Sequence, residues 1–94
     1  MTVDEFVATL TDPETPPVSV LLKALWLDGK GDWEGAHRVA QDVDDPSGAW
    51  VHAYLHRKEG DLSNARYWYR LARKPEATDP LDAEWRRIVT AFLS

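Results

Sequence analysis

GDWEGAHRVAQDVDDP at residues 31–46 and GDLSNARYWYRLARKP at residues 60–75 are two versions of one pattern, and this pattern decides the fold. Each version begins with a Gly-Asp pair and ends with a proline, and the two are offset by 29 residues. Glycine commonly ends one helix and aspartate commonly caps the next. Apolar residues then recur at helical spacing. Each segment therefore predicts a tight turn followed by a helix.

A further helix is expected before each of the two turns. The earlier one should begin near Pro17, and its apolar residues surround the helix axis, which indicates a central, buried helix. The later one should begin at Asp45-Pro46, since proline is well tolerated at the first helical position. The chain thus contains two helix-turn-helix units, residues 17–45 and residues 46–75.

One shorter helix is expected at each end of the chain. Thr2 and Glu5 form a capping-box pattern that predicts helix 2–10, and Asp79 is expected to cap a last helix at residues 80–93. No stretch alternates as a strand does, and a lone hairpin cannot bury its own apolar face. The predicted fold is one all-α domain of five or six helices, a right-handed stack of antiparallel hairpins closed by the two end helices.

GDLSNARYWYRLA at residues 60–72 resembles the second half of a tetratricopeptide or Sel1-like repeat. In those repeats a Gly-Asp pair opens the second helix, and small, aromatic and small residues follow at the places that Ala65, Tyr69 and Ala72 hold here. The resemblance implies tetratricopeptide-like stacking and protein binding. The longer segment 49–72 is also similar to a group of short uncharacterised bacterial and fungal proteins, a likeness that implies no particular activity.

Composition excludes several classes of protein. The 94 residues include no cysteine, so disulfides and thiolate metal sites are absent. The net charge of −5 argues against nucleic-acid binding, although residues 57–74 carry six cations against two carboxylates. This basic segment is either a solvated helix face or a surface for an acidic partner. No stretch is apolar for long enough to span a membrane, so a cytoplasmic protein without membrane contact is predicted.

Three histidines are the main candidates for chemistry. His52 and His56 are four residues apart on one helix, and with Glu59 they form its only polar strip. His37 lies on the preceding helix, which packs beside it in any antiparallel hairpin stack. Imidazoles and a carboxylate on adjacent helices are ligand types that zinc accepts, but histidines at this spacing also occur in purely structural roles. No HExxH or other catalytic motif accompanies them, which leaves enzymatic activity open.

Arg57 is the other unusual residue of this helix. It falls between Trp50 and Tyr54 on the helical wheel, so its guanidinium requires a stacking or charged partner. Glu59, Asp61 or the C-terminal carboxylate is the expected partner of a structural ion pair, and ligand binding is the alternative.

Two functions follow from these residues. The favoured one is a small interaction module that holds a peptide or partner helix in a groove beside the second and fourth helices. The residues assigned to this site are Trp26, Trp50, His52, His56, Arg57 and the outward-pointing Tyr67. The alternative is a small-ligand or metal-binding protein, or an enzyme, that uses His37, His52, His56, Arg57 and Glu59. No cofactor is predicted, and the chain is either a monomer or a dimer joined through an exposed Trp85 or Phe92.

Overall fold

The computed structural model describes all 94 residues and is entirely helical. Its six α-helices are α1 (Val3–Ala8), α2 (Val20–Gly29), α3 (Trp33–Gln41), α4 (Pro46–Glu59), α5 (Leu62–Ala72) and α6 (Leu81–Leu93), with a 3-10 turn at Thr9–Thr11. The prediction of an all-α chain with five or six helices is confirmed. The predicted start of α2 near Pro17 is three residues too early. The backbone stays non-helical through Ser19, which occupies the N-cap position, and the helix begins at Val20.

The starts of α1, α3, α4 and α5 follow the local chemistry of the sequence. The Thr2/Glu5 capping box forms, and Asp32, Asp45 and Asp61 each accept a hydrogen bond from a backbone amide three residues later. The expected cap by Asp79 is wrong. Pro80 itself is the N-cap of α6, and the Asp79 carboxylate instead accepts two hydrogen bonds from Arg87.

The two Gly-Asp turns have the same backbone geometry. Gly31 and Gly60 adopt φ angles of +91° and +89°, in the left-handed region that glycine enters without steric cost. In both turns the amide of the following aspartate donates to the carbonyl five residues earlier. The internal sequence repeat is therefore also a repeat of local structure.

Helix α6 packs across α2 and α4, and α1 packs against α6. Trp85 of α6 is buried and donates its indole N–H to the carbonyl of Leu25 in α2. Near the end of α6, Phe92 meets Trp50 edge to face at a centroid distance of 5.9 Å. The face shared by α2 and α4 is thus covered by the chain itself. A dimer contact through Trp85 is excluded because this side chain belongs to the core.

Candidate functional site

The three histidines come together where α3 packs against α4. His37 projects from α3, and His52 and His56 project from successive turns of α4. One nitrogen from each imidazole lies within 4.8 Å of the other two. His52 and His56 are only 7% and 8% exposed, whereas His37 is half-buried. We refer to these three residues as the histidine cluster.

Within the histidine cluster, His37 and His52 share a hydrogen bond. Their Nε2 atoms are 2.9 Å apart, so one imidazole donates a proton and the other accepts it. Burial, followed by the neighbouring His37 and His56, lowers the pKa of His52 to about 4. Burial and His56 also lower the pKa of His37, and Glu59 opposes this effect. These two rings are therefore neutral near pH 7, and neutral imidazole is the form that binds metal ions.

His56 is held in one tautomer by two polar neighbours. Its Nδ1 lies 2.6 Å from a carboxylate oxygen of Glu59, which can only accept, so Nδ1 carries the proton. Its Nε2 lies 3.3 Å from the Asn64 side-chain nitrogen, which donates to the ring lone pair. A carboxylate on the outer nitrogen of a histidine is the arrangement that orients metal-binding histidines in proteins.

Two tryptophans form the walls of the histidine cluster. Trp33 stacks on His37 at 5.0 Å between ring centroids, and its indole N–H donates to the carbonyl of Leu55 at 2.8 Å. Trp68 stacks on His52 at 3.8 Å with an angle of 11° between the rings. Trp33 of α3 and Trp68 of α5 therefore restrain the imidazoles that they stack on.

The spacing of the cluster nitrogens is close to that of a metal site. Three nitrogens bound at about 2.0–2.1 Å to one tetrahedral zinc ion lie about 3.3 Å from one another. The separation of 2.9 Å between His37 and His52 would have to widen slightly, and His56 would have to approach by no more than about 1.5 Å. Changes of this size need only small side-chain rotations.

Arg57 has a structural role in the fold. Its guanidinium donates to a carboxylate oxygen of Glu84 at 2.8 Å and to the carbonyl oxygen of Asp79. Glu84 is fully buried in α6 and also accepts from the hydroxyl of Tyr69 at 2.7 and 2.9 Å. The expected ion pair exists, but its partner is Glu84, and Glu59 instead binds His56.

A second buried carboxylate lies near the start of the Gly-Asp turn after α2. Asp28 is 2% exposed and accepts hydrogen bonds from Lys58 at 2.9 Å and from the Tyr54 hydroxyl at 3.1 Å. A cavity of about 260 Å³ adjoins this group, with Leu10 and Trp85 among its lining residues. Because both oxygens of Asp28 are already partnered, we assign this group to the stabilisation of α2 against α4.

The structure separates the other predicted site residues. Trp26 is buried and donates its indole N–H to the carbonyl of Thr9, and Trp50 lies under Phe92 with the Lys74 ammonium 4.3 Å from its ring centroid. The aromatic and hydrogen-bonding partners of both tryptophans lie outside the histidine cluster. Tyr67 is 48% exposed, as expected for an outward-pointing residue, and its ring meets the edge of Trp68.

Three residues of the site were not predicted from the sequence. Trp68 is half-buried and stacks on His52. Asn64 contacts His56, and Trp33 stacks on His37. The available signal for Trp33 and Asn64 was that each lies in the first turn of a helix that follows a Gly-Asp pair and flanks α4.

No protein-family model matches the chain, and no curated protein or solved structure matches it either. The resemblance to tetratricopeptide and Sel1-like repeats therefore stays a prediction. Among the helices of the structure, none combines the length and the apolar character needed to cross a membrane.

Proposed function

We propose that this protein binds a divalent transition metal ion of the zinc class through the histidine cluster. The observation that carries the proposal is the approach of three imidazole nitrogens from two helices to within 4.8 Å of one another. Imidazole is a ligand that suits zinc, copper and nickel, and three such ligands satisfy most of a tetrahedral shell. The site of this proposal is thus the one of the alternative function, whose histidines the fold brings together.

The local packing supports a preorganised site. Two imidazoles project from α4 at a spacing of one helical turn, and Trp33 and Trp68 restrict the rotation of the rings that they stack on. Glu59 supports His56 from its outer nitrogen, so the tautomer with its lone pair on Nε2 is already selected. The ion would replace the hydrogen bond between His37 and His52 and the one that Asn64 donates to His56.

The number of ligands supports an open coordination position. Three protein ligands leave the fourth place of a tetrahedral zinc ion to water or to a bound molecule. Glu59 is engaged with His56, and the other carboxylate near the cluster, Asp61, caps α5. The proposal is therefore an exchangeable site rather than one closed by four side chains.

Thermal unfolding with and without Zn²⁺ tests this function. We expect Zn²⁺ to raise the Tm of the wild type, because an ion that binds only the folded chain stabilises it. His37→Phe keeps an aromatic ring beside Trp33 and should abolish the response. Glu59→Gln removes the supporting carboxylate and should weaken Zn²⁺ binding about 10–100-fold. Glu76→Gln is the matched control, since Glu76 is exposed and pairs only with Arg66.

The same variants distinguish a competing site. His56, Glu59 and Asp61 also present ligand atoms within 4.8 Å of one another, and His37 does not belong to that group. An undiminished Zn²⁺ response in His37→Phe would assign binding to the carboxylates instead. A wild type whose Tm is unchanged by Zn²⁺, Co²⁺ and Ni²⁺ would reject the proposal.

A further inference from the structure

A groove of about 480 Å³ opens beside the histidine cluster. It lies between the loop after α3, the first turns of α4, and α5. Its lining includes Val43, Asp44, Ala49, His52, Trp68 and Leu71. We call this cavity the α3–α5 groove. Its volume is within the range of small-molecule sites in proteins, which is roughly 300–1,000 Å³.

One side of the α3–α5 groove is apolar. Leu71 is 47% exposed, although leucine is more often buried. It lies three residues, or about one helical turn, after the half-buried Trp68 on the same face of α5. Val43 and Ala49 contribute aliphatic surface from the opposite side. An alkyl or aryl stem in the groove would therefore remove apolar surface of both molecules from water.

The rim of the α3–α5 groove carries unneutralised negative charge. Asp42, Asp44 and Asp45 follow α3 within four residues, and none of the three takes part in an ion pair. Asp45 uses one oxygen to cap α4 through the amide of Gly48. Asp44 lines the groove and has no polar partner in the fold, so a cationic group bound there would meet a free carboxylate.

His52 supplies an independent observation that points to a ligand. Its Nε2 is bonded to His37, but its Nδ1 has no hydrogen-bond partner in the protein, although the residue is more than nine-tenths buried. No side-chain nitrogen or oxygen is sealed from solvent without a partner, so this Nδ1 retains access to solvent. The cavity that His52 lines is the α3–α5 groove.

We propose that the α3–α5 groove binds a small amphipathic amine that carries an ammonium group at one end of an apolar stem and a hydroxyl group at the other. The ammonium pairs with Asp44, the stem packs on Trp68 and Leu71, and the hydroxyl bonds His52 Nδ1. A hydroxyl both donates and accepts, so it matches either neutral tautomer of His52. This inference does not rest on metal binding, because His52 is the only residue that the groove shares with the histidine cluster.

NMR titration of the metal-free full chain tests the inference with three probes that share a six-carbon stem. They are 6-amino-1-hexanol, hexane-1,6-diol without the charge, and hexylamine without the hydroxyl. We expect saturable shifts of the backbone amides of Ala49 and Leu71 with the amino alcohol, weaker binding of hexylamine, and the weakest binding of the diol. Nα-acetyl-lysine methylamide places the same ammonium on a stem of four methylenes, which is attached to a peptide backbone in place of the hydroxyl end. Tighter binding of this probe would identify a lysine side chain as the source of the amine, and tighter binding of the amino alcohol a free molecule.

Variants of Asp44 and His52 separate the contributions of these two residues to amine binding. Asp44→Asn should weaken binding of the amino alcohol about two- to fivefold at low salt, as expected for an exposed charge pair. His52→Phe keeps an aromatic ring against Trp68 but removes the ring nitrogens, and it should reduce the affinity of the amino alcohol to that of hexylamine. Glu59→Gln lies outside the groove and should leave amine binding unchanged while it weakens Zn²⁺ binding, so the two proposals can fail separately.

Three results would overturn the inference. The first is equal affinity for the amino alcohol and the diol, which would show that charge is not recognised. The second is unchanged binding in Asp44→Asn and His52→Phe, each checked for native helicity by circular dichroism. The third is the absence of any saturable shift in the amides that border the groove.

Discussion

Helix α4 carries two polar centres that satisfy their buried groups in opposite ways. One is the glutamate centre, formed by Arg57, Tyr69 and Glu84, and the other is the histidine cluster. The glutamate centre pairs opposite charges, and the Glu84 carboxylate accepts hydrogen bonds from Arg57 and Tyr69 inside the protein. In the histidine cluster three imidazoles lie together, and His37 and His52 are joined by a hydrogen bond between two ring nitrogens. The opposite charges of the first centre neutralise each other, whereas the second offers imidazole nitrogens that a metal ion can use.

The largest effect should follow from breaking the glutamate centre. Removal of one partner of a buried ion pair leaves an uncompensated charge and commonly costs about 3–5 kcal/mol. We expect Glu84→Gln to lower the free energy of unfolding by about 3 kcal/mol, near the lower limit, because Asp79 lies 3.9 Å from Arg57 and still offers a negative charge. Urea denaturation measures this change. Glu76→Gln, at an exposed pair, should change the free energy little, and a loss as large in this control would contradict the comparison.

A smaller effect is expected from the equivalent change in the histidine cluster. His52→Phe preserves the stack on Trp68 and removes one hydrogen bond, whose other partner, His37, is half-buried and can be hydrated. We expect the metal-free variant to differ from the wild type by at most about 1.5 kcal/mol in urea denaturation. A loss as large as that of Glu84→Gln would show that the cluster is needed for folding and would weaken its assignment as a binding site.

The two centres should also limit stability at opposite ends of the pH range. The pKa of His52 is lowered from 6.5 to about 4, so protonation favours the unfolded chain. The contribution of neutral His52 to the free energy of unfolding should be fully present above about pH 6.5 and should be lost as the pH falls toward 4. Burial, followed by the hydrogen bond to Glu84, raises the pKa of Tyr69 above its usual 10. The contribution of Tyr69 to the free energy of unfolding should therefore be fully present below about pH 10 and should decrease above it.

Denaturation curves measured across this pH range check both limits. His37→Phe combined with His52→Phe should remove much of the acid-side decrease and leave the alkaline side unchanged. Tyr69→Phe should reduce the alkaline-side decrease, although Tyr54, whose pKa is raised by burial and by Asp28, contributes to the same range. An acid limit that persists in the double histidine variant would assign it to other groups.

The sequence predicted those parts of the fold and site that local chemistry determines. Gly60 and Asp61 specify a turn and a cap through their own backbone preferences, so the boundary between α4 and α5 was correct. The positions of His52, His56 and Glu59 on one strip of α4 follow from the helical period alone. The contact with His37 required only that α3 and α4 pack as neighbours.

The sequence could not predict contacts that depend on the path of α6. Glu84 lies 27 residues after Arg57, and no local pattern relates the two. Helix 80–93 is expected to close one end of a stack, but Trp85 and Phe92 hold it across α2 and α4. Asn64 was missed for a related reason, since its contact with His56 depends on the angle of the hairpin between α4 and α5.

The most direct test of the metal site is a long-range ¹H–¹⁵N correlation spectrum of the three imidazoles, recorded with and without one equivalent of Zn²⁺. Without metal we expect His56 to carry its proton on Nδ1, since Glu59 accepts from that nitrogen. With Zn²⁺ we expect the Nε2 resonances of His37, His52 and His56 to shift together at one ion per chain. Imidazole resonances that stay unchanged in excess Zn²⁺, or a shift confined to His56, would contradict a metal site formed by the histidine cluster.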